Sequence, residues 1–174
     1  TDLCGATPLV VVLDDRTIRY TAGGRFAFLP GDPVATDWPT AATPWIARDL
    51  DHDGAITSGA ELFGGNTVLP TGATARHGFD ALAALDGNGD RRLDAADPAF
   101  ADLLLWADRD GDRRSTPDEL TPLAATLPWL PIDHRREPRC DGRGNCERER
   151  ATVTWDDGAQ RRAATIVDVY LRIR

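Results

Sequence analysis

Short stretches of strand-like patterning flank a longer central stretch in which apolar residues recur at helical spacing. Pro8-Leu9-Val10-Val11-Val12-Leu13 is a β-branched run, and Thr17-Ile18-Arg19-Tyr20 alternates with a period of two, so residues 1–30 read as strands. Gly23-Gly24 marks a turn before Phe26-Ala27-Phe28-Leu29, and residues 30–44, rich in Pro, Thr and Gly, read as an irregular connection. In residues 73–85, Phe79, Leu82 and Leu85 fall at three-residue intervals, which predicts a helix. Residues 97–106 open with Asp97-Pro98, a helix-start signal, and continue with Phe100, Leu103, Leu104 and Trp106, which predicts a second one. Beyond Leu130 the pattern returns to strands. Residues 151–155 and 164–173 read as a β-hairpin about Asp156-Asp157-Gly158, with Ile166, Asp168, Tyr170 and Arg172 on one face and Val167, Val169, Leu171 and Ile173 on the other.

The expected fold is therefore α+β. A helical lobe at residues 45–127 lies between β segments at 1–44 and 128–174, all within one compact domain. At 41% apolar residues the chain is globular rather than disordered, and 174 residues suffice for one real core. No run approaches the ~18 apolar residues of a membrane-spanning helix. With neither an initiator methionine nor a signal-peptide apolar region, the sequence reads as a processed or excised segment. All 20 basic residues are Arg.

Charge is concentrated where the helical pattern lies. Of the net −8, residues 49–119 hold 15 acids against 6 arginines, while residues 120–174 carry an excess of two arginines. Nucleic acid is excluded as an expected partner, because its binding rests on a net basic footprint. The acidic excess comes from three loops: Asp49-Leu50-Asp51-His52-Asp53-Gly54, Asp86-Gly87-Asn88-Gly89-Asp90, and Asp108-Arg109-Asp110-Gly111-Asp112. Oxygen side chains at every second residue, followed by a further acid about one turn on, can wrap a backbone around a hard cation, and calcium suits that donor set best.

Against the twelve-residue EF-hand frame, the third loop offers Asp108, Asp110, Asp112, the Arg114 carbonyl and Glu119 at position 12. The second offers Asp86, Asn88, Asp90, the Arg92 carbonyl, Asp94 at position 9 and Asp97 at position 12, where the shorter acid grips less well. The first offers Asp49, Asp51, Asp53 and the Ala55 carbonyl, with Ile56 as apolar anchor. Its position 12 is Ala60 and the acid Glu61 stands one residue later, so either the loop bulges at Gly59 to bring Glu61 in or Glu61 does not ligate. Position 6 needs a left-handed backbone. In loops 2 and 3 it is Arg91 and Arg113, at a cost on the order of 1 kcal/mol each. Two or three Ca²⁺ ions are expected; magnesium and zinc fit the donors less well.

The stretch 49–54 together with Gly59-Ala60-Glu61-Leu62-Phe63-Gly64-Gly65-Asn66-Thr67, and then Gly78-Phe79-Asp80-Ala81-Leu82-Ala83-Ala84-Leu85-Asp86-Gly87-Asn88-Gly89-Asp90, resembles the EF-hand-like, repeats-in-toxin-associated calcium modules of secreted bacterial proteins. The resemblance covers residues 45–125 and implies a helix–loop–helix calcium lobe between the β segments. That family includes a self-processing module that cleaves an Asp-Pro bond at its N-terminal edge. The equivalent bond here is Thr7-Pro8, and threonine has no carboxylate to attack its own carbonyl. No self-cleavage, and no other enzyme activity, is expected.

Cys140 and Cys146 bracket five turn-forming residues, which favours a disulfide and an oxidising compartment, and Cys4 is left free or paired with another chain. His52, His77 and His134 lack a catalytic context. The reading is a secreted, extracellular or cell-surface calcium-binding structural module whose folding depends on the metal. The first alternative is a calcium-rigidified subunit of a filament, adhesin or matrix, as a homo-oligomer or other extracellular assembly; the second, ranked below it, is a calcium-dependent Asp-Pro self-processing module.

Overall fold

A run such as Leu9-Val10-Val11-Val12-Leu13 has no polar face to give to water and makes a stable strand only where both faces are covered. That is its position in the computed structural model, which describes residues 7–174. β1 (Leu9–Leu13) is the middle strand of a seven-stranded antiparallel sheet. The others are β2 (Trp45–Arg48), β3 (Leu103–Trp106), β4 (Leu120–Pro122), β5 (Arg135–Cys140), β6 (Cys146–Asp156) and β7 (Arg161–Tyr170). Across the sheet the order is β5-β6-β7-β1-β2-β3-β4. The first strand thus joins the C-terminal hairpin on one side to the central strands on the other.

Each face of the sheet carries its own core. Leu9, Val11, Ile46, Leu103, Leu105 and Ile166 point to one side, under the short helix α1 (Gly78–Ala83) with its buried Phe79 and Leu82. Val10, Val12, Trp45, Trp106 and Val167 point to the other, against Phe26, Phe28 and Trp38. There the aromatic rings pack with centroids 4.9 to 6.2 Å apart. The β6–β7 hairpin forms in the expected place, pairing Ala151 with Ile166 and Val153 with Ala164. Its alternation does not separate a wet face from a dry one, because both sides are covered. Asp168 is fully buried, and burial pushes its carboxyl well above the usual range. One of its oxygens accepts the Gly78 N–H at the start of α1, 2.5 Å away.

The expected α+β class with a helix–loop–helix lobe is overturned: the fold is β-rich. The helix expected over 73–85 shrinks to the six residues of α1, capped by His77 Nδ1 on the Asp80 N–H. The helix expected over 97–106 is a 3₁₀ turn, Pro98–Asp102, followed by β3. The reason lies in Leu103-Leu104-Leu105-Trp106, a continuous apolar run whose periodicity fits either element. It pairs antiparallel with Trp45–Arg48, placing Leu105 in one core and Trp106 in the other. Cys140 and Cys146 form the expected disulfide across the β5–β6 turn, with Cα atoms 4.0 Å apart. Cys4 lies outside the described residues. No helix among them is long and apolar enough to cross a membrane.

Candidate metal centre

Strands, not helices, deliver two of the three acidic loops. β2 leads into loop 1 (residues 49–61), β3 leads into loop 3 (108–119), and β4 leaves it; loop 2 (86–97) follows α1. Despite these different entries, the three share one hydrogen-bond frame. The first acid accepts the N–H of the sixth residue: Asp49 from Gly54 at 2.9 Å, Asp86 from Arg91 at 3.0 Å and Asp108 from Arg113 at 3.0 Å. Asp51, Asn88 and Asp110 each accept the N–H two residues on. Asp53, Asp90 and Asp112 do the same for the seventh residues, Ala55, Arg92 and Arg114. These are local Asx turns that bend the chain around its own carboxylates.

The last acid closes each loop. Glu61 accepts from the N–H groups of Leu50 at 3.2 Å and Thr57 at 2.7 Å, and Glu119 from those of Arg109 at 2.7 Å and Thr116 at 3.2 Å. Asp97 accepts from Gly87 at 2.8 Å and Asp94 at 3.1 Å. Glu61, at the thirteenth position, therefore reaches the same second- and ninth-residue amides as the other two do from the twelfth. The extra residue is taken up in the 3₁₀ turn Gly59–Glu61. Gly59 serves there through close approach rather than a left-handed backbone, since a Cβ would lie 2.1 Å from the Phe28 carbonyl oxygen. All three closing acids are buried. Asp94, by contrast, turns its side chain to the Ala96 N–H at 2.8 Å.

Two groups of carboxylates converge among the described residues. Asp49, Asp51 and Glu61, and separately Asp108, Asp110 and Asp112, each place oxygens within 4.8 Å of one another. At that range a like-charge pair repels by roughly 1 kcal/mol in water and about 4 kcal/mol at an effective dielectric of 20. Burial pushes the Asp108 carboxyl above its ordinary range, against the pull of the Arg113 and Gly111 N–H groups. Asp49 Oδ1 is buried and has no hydrogen-bond partner among the described residues. An orphaned buried oxygen, a convergent donor set and a carboxylate-rich wall all fit a hard dication.

The arginines at the sixth positions are left-handed, Arg91 at φ 69° and Arg113 at φ 63°. For Arg113 the side chain shows why glycine is not used. It is buried across Trp38, 5.0 Å from the ring centroid, and donates to the carbonyls of Thr36 at 2.7 Å and Gly23. Loop 3 is thereby pinned to the N-terminal segment.

Sequence reasoning also missed Ser115, the eighth residue of loop 3. Its hydroxyl accepts the Ile56 N–H at 2.6 Å and donates to the Ile56 carbonyl at 3.3 Å, joining loops 1 and 3 at their eighth positions. Threonines at both ninth positions, Thr57 and Thr116, support Glu61 and Glu119 through their hydroxyls; that repetition was visible in the sequence. Ser115→Ala should cost about 1–2 kcal/mol by leaving the Ile56 amide unpaired. Urea unfolding of the two proteins checks this, and equal midpoints would show that the contact between the loops carries no stability.

The β-rich sheet with its three carboxylate loops defines the class, and comparison with known proteins supplies the family. The chain belongs to the SPM domain family, whose model matches residues 9–172. It is similar to the iron-regulated protein FrpA of Neisseria meningitidis serogroup C, at 37% identity over a 158-residue alignment that covers 87% of this chain and 14% of that protein. The expected EF-hand-like assignment is corrected on both grounds: the family is the SPM domain, and no loop lies between paired α-helices, strands leading into two of the three. Neither name speaks of calcium.

Proposed function

We propose that this chain is a structural module of a secreted bacterial protein and that Ca²⁺ bound in its acidic loops stabilises its fold. The observation that carries the reading is the repetition of one hydrogen-bond frame in three loops that enter from different secondary structure. Asp49, Asp51, Asp53, the Ala55 carbonyl and Glu61 would hold one ion. Asp108, Asp110, Asp112, the Arg114 carbonyl and Glu119 would hold a second. Asp86, Asn88, Asp90, the Arg92 carbonyl and Asp97 would hold a third, more weakly. When bound, the metal supplies positive charge between carboxylates that otherwise repel, and the free energy of binding becomes free energy of folding. The chain's own residues set the site in place: the Asx turns curve each loop, and the buried closing acids fix its mouth.

The Cys140–Cys146 disulfide supports an oxidising, extracellular setting, where calcium reaches millimolar levels that weak sites can use. Isothermal titration should give two or three Ca²⁺ per chain, and Glu119→Gln should lower that count by one. No saturable heat at millimolar Ca²⁺ would end the reading.

A structural role is favoured over self-cleavage by the residue before Pro8. Thr7 Oγ1 accepts the Gly65 N–H at 2.6 Å, and no carboxylate stands in its place to attack the Thr7 carbonyl. After incubation with calcium, intact mass should be unchanged, and a new N-terminus at Pro8 would overturn this. Assembly through strand edges is disfavoured, because the outer strands β5 and β4 carry Pro138 and Pro122 and β5 is studded with arginine.

A further inference from the structure

On the sheet face that carries the aromatic core, a cleft of about 410 Å³ opens beside the outer strand β5. Its floor is apolar and hydroxylated: Val12, Val167, and the cross-strand pair Thr152 and Thr165. Its walls carry more cations than acids, with Asp15 and Glu147 the acids among them. Arg135 and Arg139 come from β5 and Arg150 from β6, while Arg16 comes from the turn after β1.

That turn is costly to build. Asp14 and Asp15 are both left-handed, at φ 55° and 53°, and the Arg16 N–H returns to the Leu13 carbonyl at 3.4 Å. Two consecutive residues at positive φ give a tight primed turn, a conformation that side-chain-bearing residues adopt at some cost. It holds Arg16 at the cleft wall.

The arginines are already gathered around carboxylates, but not saturated by them. Glu137 receives Arg135 Nε at 2.8 Å and Arg139 Nη2, which holds its carboxyl down at about 2. Arg150 gives Nη2 to Glu147 at 2.7 Å. Its Nε is buried without a hydrogen-bond partner among the described residues and stays 3.9 Å from Glu137. Arg150 is itself only 7% exposed, so its guanidinium is held in place where it lines the cleft. Each guanidinium carries five N–H donors in a planar fork matched to an oxyanion, and four of them outnumber the acceptors of Asp15, Glu137 and Glu147.

We propose that this cleft binds an acidic sugar unit of the uronate class, its carboxylate taken by Arg16, Arg139 and Arg150 and its ring laid on Val12, Val167 and the two threonines. The volume lies within the range of small-ligand sites. Among the lining residues four arginines stand against two acids, Asp15 and Glu147, so the cleft itself favours an anion although the whole chain is at −8. The floor distinguishes a sugar acid from a bare oxyanion: an apolar patch with paired hydroxyls matches a pyranose face and its hydroxyl rim, and inorganic sulfate would use only the guanidinium wall.

The test is a titration of the full chain, in calcium and at constant ionic strength, with glucuronate, glucose and sulfate as separate probes, followed by NMR of arginine Nε–H and threonine signals. Glucuronate should bind saturably, moving the Arg150, Thr152 and Thr165 signals, and glucose should not. Arg16→Ala and Arg139→Ala, both at solvent-exposed positions, should each weaken glucuronate roughly tenfold or more through loss of a charge-assisted contact. Arg150→Lys, which keeps the charge and removes the fork, should do the same, and the two exposed variants carry the test if it fails to fold. The proposal is overturned by the absence of saturable glucuronate binding, by sulfate binding as tightly as glucuronate, by an equal response to glucose, or by unchanged affinity in both exposed variants.

Discussion

Adding millimolar calcium to the chelated protein is expected to raise its melting temperature by on the order of 20 °C. A ligand at a hundredfold excess over its dissociation constant stabilises the folded state by about 2.7 kcal/mol per site, and two or three sites give roughly 5–8 kcal/mol. For a chain of 174 residues each kcal/mol moves the midpoint by about 2–4 °C. The effect is large because the empty loops begin from strain: three carboxylates within 4.8 Å of one another in loops 1 and 3, and the Asp108 carboxyl held above its normal range by burial. Magnesium should shift the midpoint much less, since it dehydrates reluctantly and demands a tighter octahedron than these loops offer. Calorimetry in calcium, in magnesium and in chelator decides the matter. Identical melting in calcium and in chelator would remove the metal from any account of stability.

Replacing Asp37 is expected to have the next largest effect, and it is independent of metal. Asp37 is fully buried and gathers donors from two distant parts of the chain, the turn at 143–145 and the C-terminal Arg174. Arg143 donates to it twice, at 2.6 and 2.8 Å, Asn145 once at 2.8 Å, and Arg174 at 3.3 and 3.4 Å. The Arg143 guanidinium, helped by Asn145 and Arg174, holds its carboxyl far below the carboxylate range in spite of burial. Arg143 and Asn145 lie within the turn that the Cys140–Cys146 disulfide closes, so the covalent link keeps the donors in place. Asp37→Asn should cost about 2–4 kcal/mol, less than the upper end for a broken buried pair because the two arginines are 48% and 43% exposed and regain water.

The loss should depend on pH in a defined direction. A carboxyl whose folded pKa is depressed binds more protons unfolded than folded, so its stabilisation is complete above the unfolded value near ~4 and disappears as pH falls below it. Urea unfolding at pH 7 should therefore show a wide gap between wild type and Asp37→Asn, narrowing between about pH 5 and pH 2. A gap that stays constant over that range would show that Asp37 acts through shape, not charge.

The local chemistry of the loops was legible in residue order. Alternating Asp and Asn dictates Asx turns wherever the chain goes, because these leading side chains reach backbone only two to five residues away. The hairpin of residues 151–173 and the disulfide were legible for the same reason of short reach. The helices were not. Leu103-Leu104-Leu105-Trp106 has no period that separates helix from doubly buried strand, and its conformation follows from pairing with Trp45–Arg48, more than fifty residues earlier. The family resemblance reinforced the wrong element by carrying a helix–loop–helix expectation onto three loops, two of which strands enter.

The sequence by itself determined where carboxylates concentrate, how each loop curls on its own amides, and which cysteines can meet. Tertiary structure alone decided that β1 would stand between the C-terminal hairpin and the central strands and bury both its faces. It also decided that Glu61 would arrive one residue late yet reach the same amides, and that Ser115, Arg113 and Asp37 would tie remote segments together. Contacts of short range are encoded in spacing. Those between residues far apart exist only once a packed sheet has brought their backbones within reach.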